Sequence, residues 1–215
     1  MKNSHITVAL NKIYSKLFAA FGPQKWWPAE SPFEVIVGAI LTQNTSWRNV
    51  ERAINNLKGR NLLTPSSLHK ISEGDLAEQI RPSGYYNLKA KRLKAFVSHL
   101  VFRYGGNLDA MFRRDGDLLR DELLGLYGIG EESADAILLY AGRHPTFVVD
   151  AYTRRVLVRH QMITDSASYE DIRSLFMSNL THDEECFNEY HALLVKVGKE
   201  YCRPRESLCR ECPLM

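Results

Sequence analysis

"LYGIGEESADAILLYAGRHPTFVVD", residues 126–150, is the stretch from which the fold reads outward. Gly128 and Gly130 bracket one isoleucine and separate two helical patterns, "DGDLLRDELLGL" before them and "EESADAILLYAG" after. A connection that short joins two helices only as a hairpin. Glycine permits positive φ and leaves no side chain between backbone and ligand. The N–H groups opening the second helix then point outward, where the partial positive charge of a helix start favours a phosphate. Taken alone, a Gly-x-Gly turn is more often a hairpin that binds nothing. Asp150 follows Phe147-Val148-Val149 and precedes "AYTRRVLV", the place of an N-cap. A carboxylate at a helix start also suits a base, or an electrostatic stabiliser of a developing cation.

Outward from that stretch, period-two alternation is almost absent and helical periodicity dominates. Residues 6–21 predict a first amphipathic helix, and "SPFEVIVGAILTQNT" a second that is apolar nearly all round and hence buried. "SWRNVERAINNLKG" predicts a third with Ser46 as N-cap. A short helix follows "TPSS", and "SEGDLAEQIRP" predicts another, ended by Pro82. "NLKAKRLKAFVSHLVFRYGG" is a basic amphipathic helix closed by two glycines. "DAYTRRVLVRHQM", "YEDIRSLFMSNL" and "DEECFNEYHALLVKVGKEYC" complete an all-α set of about ten helices with short loops.

A length of 215 residues allows one sizeable core or two modest ones. No apolar run approaches the roughly 18 residues a membrane span needs, and the N-terminal pattern is a helix rather than a signal peptide. The expectation is a monomer with no membrane partner, in a bacterial-type cytosol or a nucleus. The net charge is only +3, yet Arg81–Arg114 holds eight basic residues against Asp109, and Asp115–Asp135 seven acids against Arg120. Such segregation suits an anion-facing side, and equally a solvated helix face. Three of the four cysteines fall in the last 14 residues, a distribution that argues for a metal site over a disulfide framework.

Taken together, "LYGIGEESADAILLYAGRHPTFVVDAYTRRV" resembles the helix-hairpin-helix, loop and aspartate of the endonuclease III superfamily of DNA glycosylases, also called HhH-GPD. In the tail, Cys202-x6-Cys209-x2-Cys212 resembles the superfamily's [4Fe-4S] loop, whose fourth cysteine would fall at position 218, beyond Met215. Cys186 lies about 24 Å from Cys202 if one helix joins them, too far to substitute. A three-cysteine zinc site or free thiols are the other readings. The resemblance runs from about residue 30 to the end. It implies two helical domains with a DNA-binding cleft between them. Residues 30–144 would form a six-helix barrel domain carrying the hairpin at about 117–141. Residues 1–29 with 145–215 would form a terminal-helix domain carrying the Cys-rich loop, 202–215. It further implies that Gln43 of "LTQNTS" fills the gap left by an extruded nucleotide, and that Tyr85 of "IRPSGYYNLKAKRL" wedges beside the opposite base. Gly128, Gly130, Lys89 and Lys91 would then meet phosphate.

Superfamily members with lyase activity carry a lysine two residues after the second hairpin glycine, where this sequence has Glu132. A carboxylate forms no imine. The expectation is therefore a monofunctional glycosylase acting on double-stranded DNA that contains a damaged base, with Asp150 activating water or stabilising the sugar cation. "GIGEESADAIL", "RPSGYYNLKAKRL" and "KWWP" look similar to the 3-methyladenine glycosylases of the superfamily. A ring-methylated base is cationic and leaves readily, so stacking on electron-rich rings can select it. Trp26 and Trp27, stiffened by Pro28, with Glu132, are the candidate base pocket; a buried aromatic cluster is the plainer alternative. Competing with this are an endonuclease III-like glycosylase with AP-lyase activity, a T or U mismatch glycosylase, and a non-catalytic helix-hairpin-helix DNA-binding module.

Overall fold

The computed structural model describes residues 4–215, and among these there is no β-strand. The chain divides into two compact units, residues 29–143 and the N-terminal stretch through Pro28 together with His144–Met215.

In the 29–143 unit, α2 (Pro32–Leu41) is the centre. Ser31 caps it by accepting from Glu34 N at 3.2 Å, and Pro32 occupies the first turn, where its missing N–H costs nothing. Every residue from Phe33 to Leu41 is buried, as its all-round apolar pattern requires. Its single acid, Glu34, is buried with the rest and receives Lys58 at 2.9 Å from α3 (Trp47–Gly59). Ser46 holds the N-cap position of α3 with extended backbone, but its side chain makes no capping bond. α4 (Pro65–Lys70) and α5 (Glu73–Gln79) both pack on α6 (Tyr86–Tyr104), and α2 packs on α3 and α6. Pro82 lies within a short 3₁₀ turn, Arg81–Ser83, that follows α5. A short helix not foreseen from the sequence, α7 (Leu108–Phe112), links α6 to the hairpin.

The hairpin consists of α8 (Gly116–Leu124) and α9 (Glu131–Ala136). Asp115 caps α8 through Asp117 N and Leu118 N. The two helices are clamped by a bidentate pair, Arg120 Nε and NH2 to the fully buried Asp135 at 2.9 and 3.1 Å. Beyond Ala136 the chain loosens into one π turn, Ile137–Ala141, closed by Gly142 N donating to Ile137 O at 3.0 Å. That widened turn packs on α2.

The other unit joins α1 (Ser4–Phe21) to α10 (Ala151–Arg159), α11 (Tyr169–Asn179) and α12 (Glu184–Glu200). Its core is aromatic. Phe147 stacks on Phe176 at 3.6 Å and meets Phe187 and Tyr190 edge-on. The buried Tyr190 hydroxyl donates to Leu10 O at 2.9 Å, tying α12 to α1, and burial raises its pKa. α10 and α12 approach so closely that a Cβ on Gly198 would lie 2.7 Å from the Tyr152 ring.

Candidate functional site

Asp150 is the N-cap of α10. Its Oδ1 accepts from Thr153 N at 2.7 Å, which fixes the carboxylate at the positive end of the helix. Oδ2 faces α12, where His191 Nε2 stands 3.7 Å away. The side chains are 12% and 5% exposed, respectively. Burial pushes the His191 imidazole below its ordinary range; the Asp150 charge opposes this and Lys199 reinforces it. Burial thereby favours the neutral ring beside Asp150. Trp26 meets the same imidazole edge-on at 6.3 Å and Trp27 at 5.6 Å, while Lys199 Nζ lies 5.8 Å over the Trp26 ring. The Trp26 indole N–H is buried and has no acceptor among the described residues. One unit thus gathers Asp150, His191, Trp26, Trp27 and Lys199; Pro28 is exposed beside them in sequence. Glu132 belongs to the other unit, exposed in the first turn of α9.

In that unit the two hairpin glycines act differently. Gly128 has φ +79°, and a Cβ there would lie 2.3 Å from the Arg92 side chain. Gly130 is extended (φ −97°), a conformation open to any residue, and space for a Cβ is clear. It is the N-cap of α9 and, having no side chain, supplies no capping bond to the helix start. Gln43 rests on this hairpin: Nε2 donates to Gly128 O at 3.1 Å and Ser133 Oγ at 2.8 Å, and Oε1 accepts from Arg92. Tyr85 stands 69% exposed in a left-handed conformation (φ 45°) before α6.

Lys89 corrects the reading of the basic helix. It is 1% exposed and cannot meet a phosphate. Its ammonium instead donates to Leu41 O at 2.9 Å and Ser83 O at 2.7 Å, the carbonyls just ahead of the Gln43 and Tyr85 loops. Burial, then the neighbouring Arg92 charge, pulls its pKa down to about 8. Lys94, half-buried, is also turned onto the protein, donating to the carbonyls of Leu68, His69 and Ile71 at the end of α4. Arg103 and Arg114 turn to Glu122, which also accepts from His99 at 2.6 Å and from Tyr104. Burial works against the Glu122 charge, but these bonds outweigh it and hold the carboxyl below its ordinary range. Much of the basic stretch is therefore spent on internal polar contacts, while Lys91 remains on the surface.

The tail cysteines lie on a loop pinned by α10 and α1. Arg155 donates to Cys202 O at 2.6 Å, Arg159 reaches Cys202 Sγ at 3.2 Å, and Lys16 holds Met215 O at 2.9 Å. Burial raises the Cys212 thiol, and Cys202 and Cys209 are near enough to add to that rise. Cys186 sits at the start of α12, sixteen residues before Cys202, which follows the end of that helix. Among the described residues no group of three or more His, Cys, Asp or Glu side chains is arranged to hold a metal ion. The residues present thus bring three thiols to one loop and do not make up a four-ligand set.

The sequence pattern of the HhH-GPD superfamily base excision DNA repair proteins matches residues 37–182, which spans the hairpin, Asp150 and α10. The chain belongs to this superfamily. It is 51% identical over 205 residues to a protein of Methanocaldococcus jannaschii named as a DNA repair glycosylase, covering 94% of this chain and 92% of that one. It is 30% identical over 184 residues to endonuclease III of Thermotoga maritima, covering 84% and 79%. Among solved structures, the H. pylori 3-methyladenine DNA glycosylase bound to 1,N6-ethenoadenine superposes with a TM-score of 0.75 at 27% identity, covering 91% and 97%. His191, Arg92 and the true place of Lys89 in this HhH-GPD chain escaped the sequence reading. Only Lys89 left a readable trace: it precedes Leu93 by four residues and Phe96 by seven, on the apolar stripe of α6.

Proposed function

We propose that this protein is a monofunctional DNA glycosylase that uses water as its nucleophile. The observation that carries the reading is Asp150, one oxygen anchored to Thr153 N and the other turned toward the buried His191 imidazole. In the reaction a water oxygen bonds to the sugar C1′, the C1′–N bond breaks with its electron pair leaving on the base, and the water proton passes to Asp150. The same carboxylate offsets the positive charge that develops on the sugar. Glu132, two residues after Gly130, supports hydrolysis over the imine route. Double-stranded DNA is the partner, with its phosphate at Gly128–Gly130 and Lys91, and with Gln43 and Tyr85 entering the stack. Gln43 must first leave its bonds to the hairpin.

For substrate, alkylated purines such as 3-methyladenine are the leading class. Trp26 and Trp27 offer ring faces and an indole N–H beside the imidazole that faces Asp150, and the H. pylori likeness supports the same class. A second reading, release of T or U from mispairs, is favoured by Lys199. A cation already over the Trp26 ring weakens stacking of a cationic base and favours one that departs as an anion. Mass spectrometry of free bases released from alkylated, oxidised and uracil-containing duplexes separates these. Asp150→Asn should lower single-turnover release on the order of 10²–10⁴-fold; full retention would remove Asp150 from the mechanism. Efficient borohydride trapping of the native protein on an abasic duplex would overturn the monofunctional assignment. Cys202, Cys209 and Cys212 are proposed as three ligands of a [4Fe-4S] cluster; anaerobically purified protein should be brown, and colourless iron-free protein would refute it.

A further inference from the structure

Beyond Asp150, one group at this site has no role assigned by the reading above. His191 lies on α12, buried, its ring 6.3 Å from that of Trp26 and its Nε2 3.7 Å from the Asp150 carboxylate. The 3.7 Å separating Nε2 from Oδ2 is too long for a direct hydrogen bond. It suits two groups sharing one water: an oxygen about 2.8 Å from each subtends roughly 80° between them.

We propose that His191 is the positioning residue for the hydrolytic water, its Nε2 accepting one water hydrogen while Asp150 Oδ2 takes the proton that leaves on attack. The inference rests on the glycosylase reading and deepens it. Bond making and breaking are those already described: the imidazole gains no proton and fixes the direction of the water lone pair. That role requires the neutral ring. A cationic His191 stops accepting and pairs with the Asp150 carboxylate, taking away the base. The charged groups bearing on the ring are Asp150 from the start of α10 and Lys199 from α12 itself. From α1, Lys16 reaches away to the Met215 carbonyl, and Tyr190, the preceding residue of α12, is turned to Leu10.

The test uses the full chain on a dimethyl sulfate-alkylated duplex and a U·G duplex, with single-turnover release measured against pH. His191→Phe should keep the duplex KM and lose roughly 100-fold in rate, and His191→Gln, which keeps an acceptor, should recover much of it. The native rate should fall as pH drops through the imidazole titration, below 6.5 because burial lowers it, and His191→Gln should lose that limb. Rates unchanged in His191→Phe, or equal losses and superimposed pH profiles in both variants, overturn the inference. If His191→Phe fails to fold, the His191→Gln profile decides, together with an NMR titration that needs no substrate. The Asp150 charge favours the imidazolium, so Asp150→Asn should move the His191 titration lower still, and an unmoved titration overturns the coupling. Full activity in Asp150→Asn would remove the glycosylase mechanism itself; loss there with unaffected His191 variants would remove this inference alone.

Discussion

Replacing Lys89 with methionine should change stability in a pH-dependent way that separates the buried charge from its hydrogen bonds. In the folded protein the ammonium titrates at about 8, against 10.5 ordinarily. At roughly 1.4 kcal/mol per unit, carrying the charge in the fold costs about 3 kcal/mol. Between these two values the unfolded chain holds the proton and the folded chain does not, so stability rises with pH; below 8 the whole cost is present, and above 10.5 none of it. A neutral amine still donates to Leu41 O and Ser83 O. Methionine removes the charge but leaves both buried carbonyls unmatched, about 1–3 kcal/mol each. At neutral pH the two effects oppose each other, and Lys89→Met should lie between about 1 kcal/mol more and about 3 kcal/mol less stable than the native protein. As pH rises from 8 to 10.5 the native protein should gain about 3 kcal/mol over the variant. Urea unfolding followed by circular dichroism at half-unit pH steps measures this. A difference between the two proteins that stays flat across the interval would refute the buried-ammonium account.

Gly128→Ala meets both a positive φ and the Arg92 side chain, and should cost about 1–2 kcal/mol in thermal unfolding while displacing Arg92 from Gln43; unchanged stability and DNA affinity would count against the hairpin geometry. Glu132→Lys places an amine two residues after Gly130 and should become trappable by borohydride on an abasic duplex, where the native protein should give no covalent product. Gly198→Ala forces α12 off Tyr152 and widens the gap between His191 and Asp150; it should lower base release more than its cost of about 1–3 kcal/mol in stability explains, and an undiminished rate would oppose that coupling.

What was legible in the sequence was whatever depends on local periodicity and on motif spacing. α2 could be read as buried because its apolar residues leave no polar face, and the hairpin because Gly128 and Gly130 break two helical patterns at one point. Features that depend on which chain segments meet in space were not legible. His191 is a buried partner of Asp150 only because α12 crosses α10 at Gly198, a contact between positions far apart in sequence. Lys94 looked like surface charge because nothing in its own helix announces that the end of α4 offers it three carbonyls. The π turn at Ile137–Ala141 adds one residue to a helical turn, which the same apolar letters accommodate as readily as an α-helix.

Burial of polar groups costs free energy unless each finds a partner, so where a fold keeps them is informative. Among the described residues the buried polar side chains are Glu34, Ser83, Lys89, Ser133, Asp135, Thr146, Thr153, Asn179 and His191. Six of these adjoin the proposed DNA-handling and catalytic segments: Ser83 and Lys89 the Tyr85 and Gln43 loops, Ser133 the Gln43 amide, Asp135 the hairpin clamp, and Thr153 and His191 the Asp150 carboxylate. Apolar packing holds helices together at many nearly equivalent registers, whereas a carbonyl–ammonium bond or a capped carboxylate is satisfied at only one. Concentrating such bonds at these segments fixes their geometry at some expense of stability, while the Phe147–Phe176 core supplies cohesion without that demand. It follows that apolar replacements at Lys89 or His191 should leave the protein folded at neutral pH and yet impair the chemistry. Equivalent volume changes in the aromatic core should do the reverse, lowering stability by about 3–5 kcal/mol for Phe147→Ala with the site geometry retained below the melting temperature.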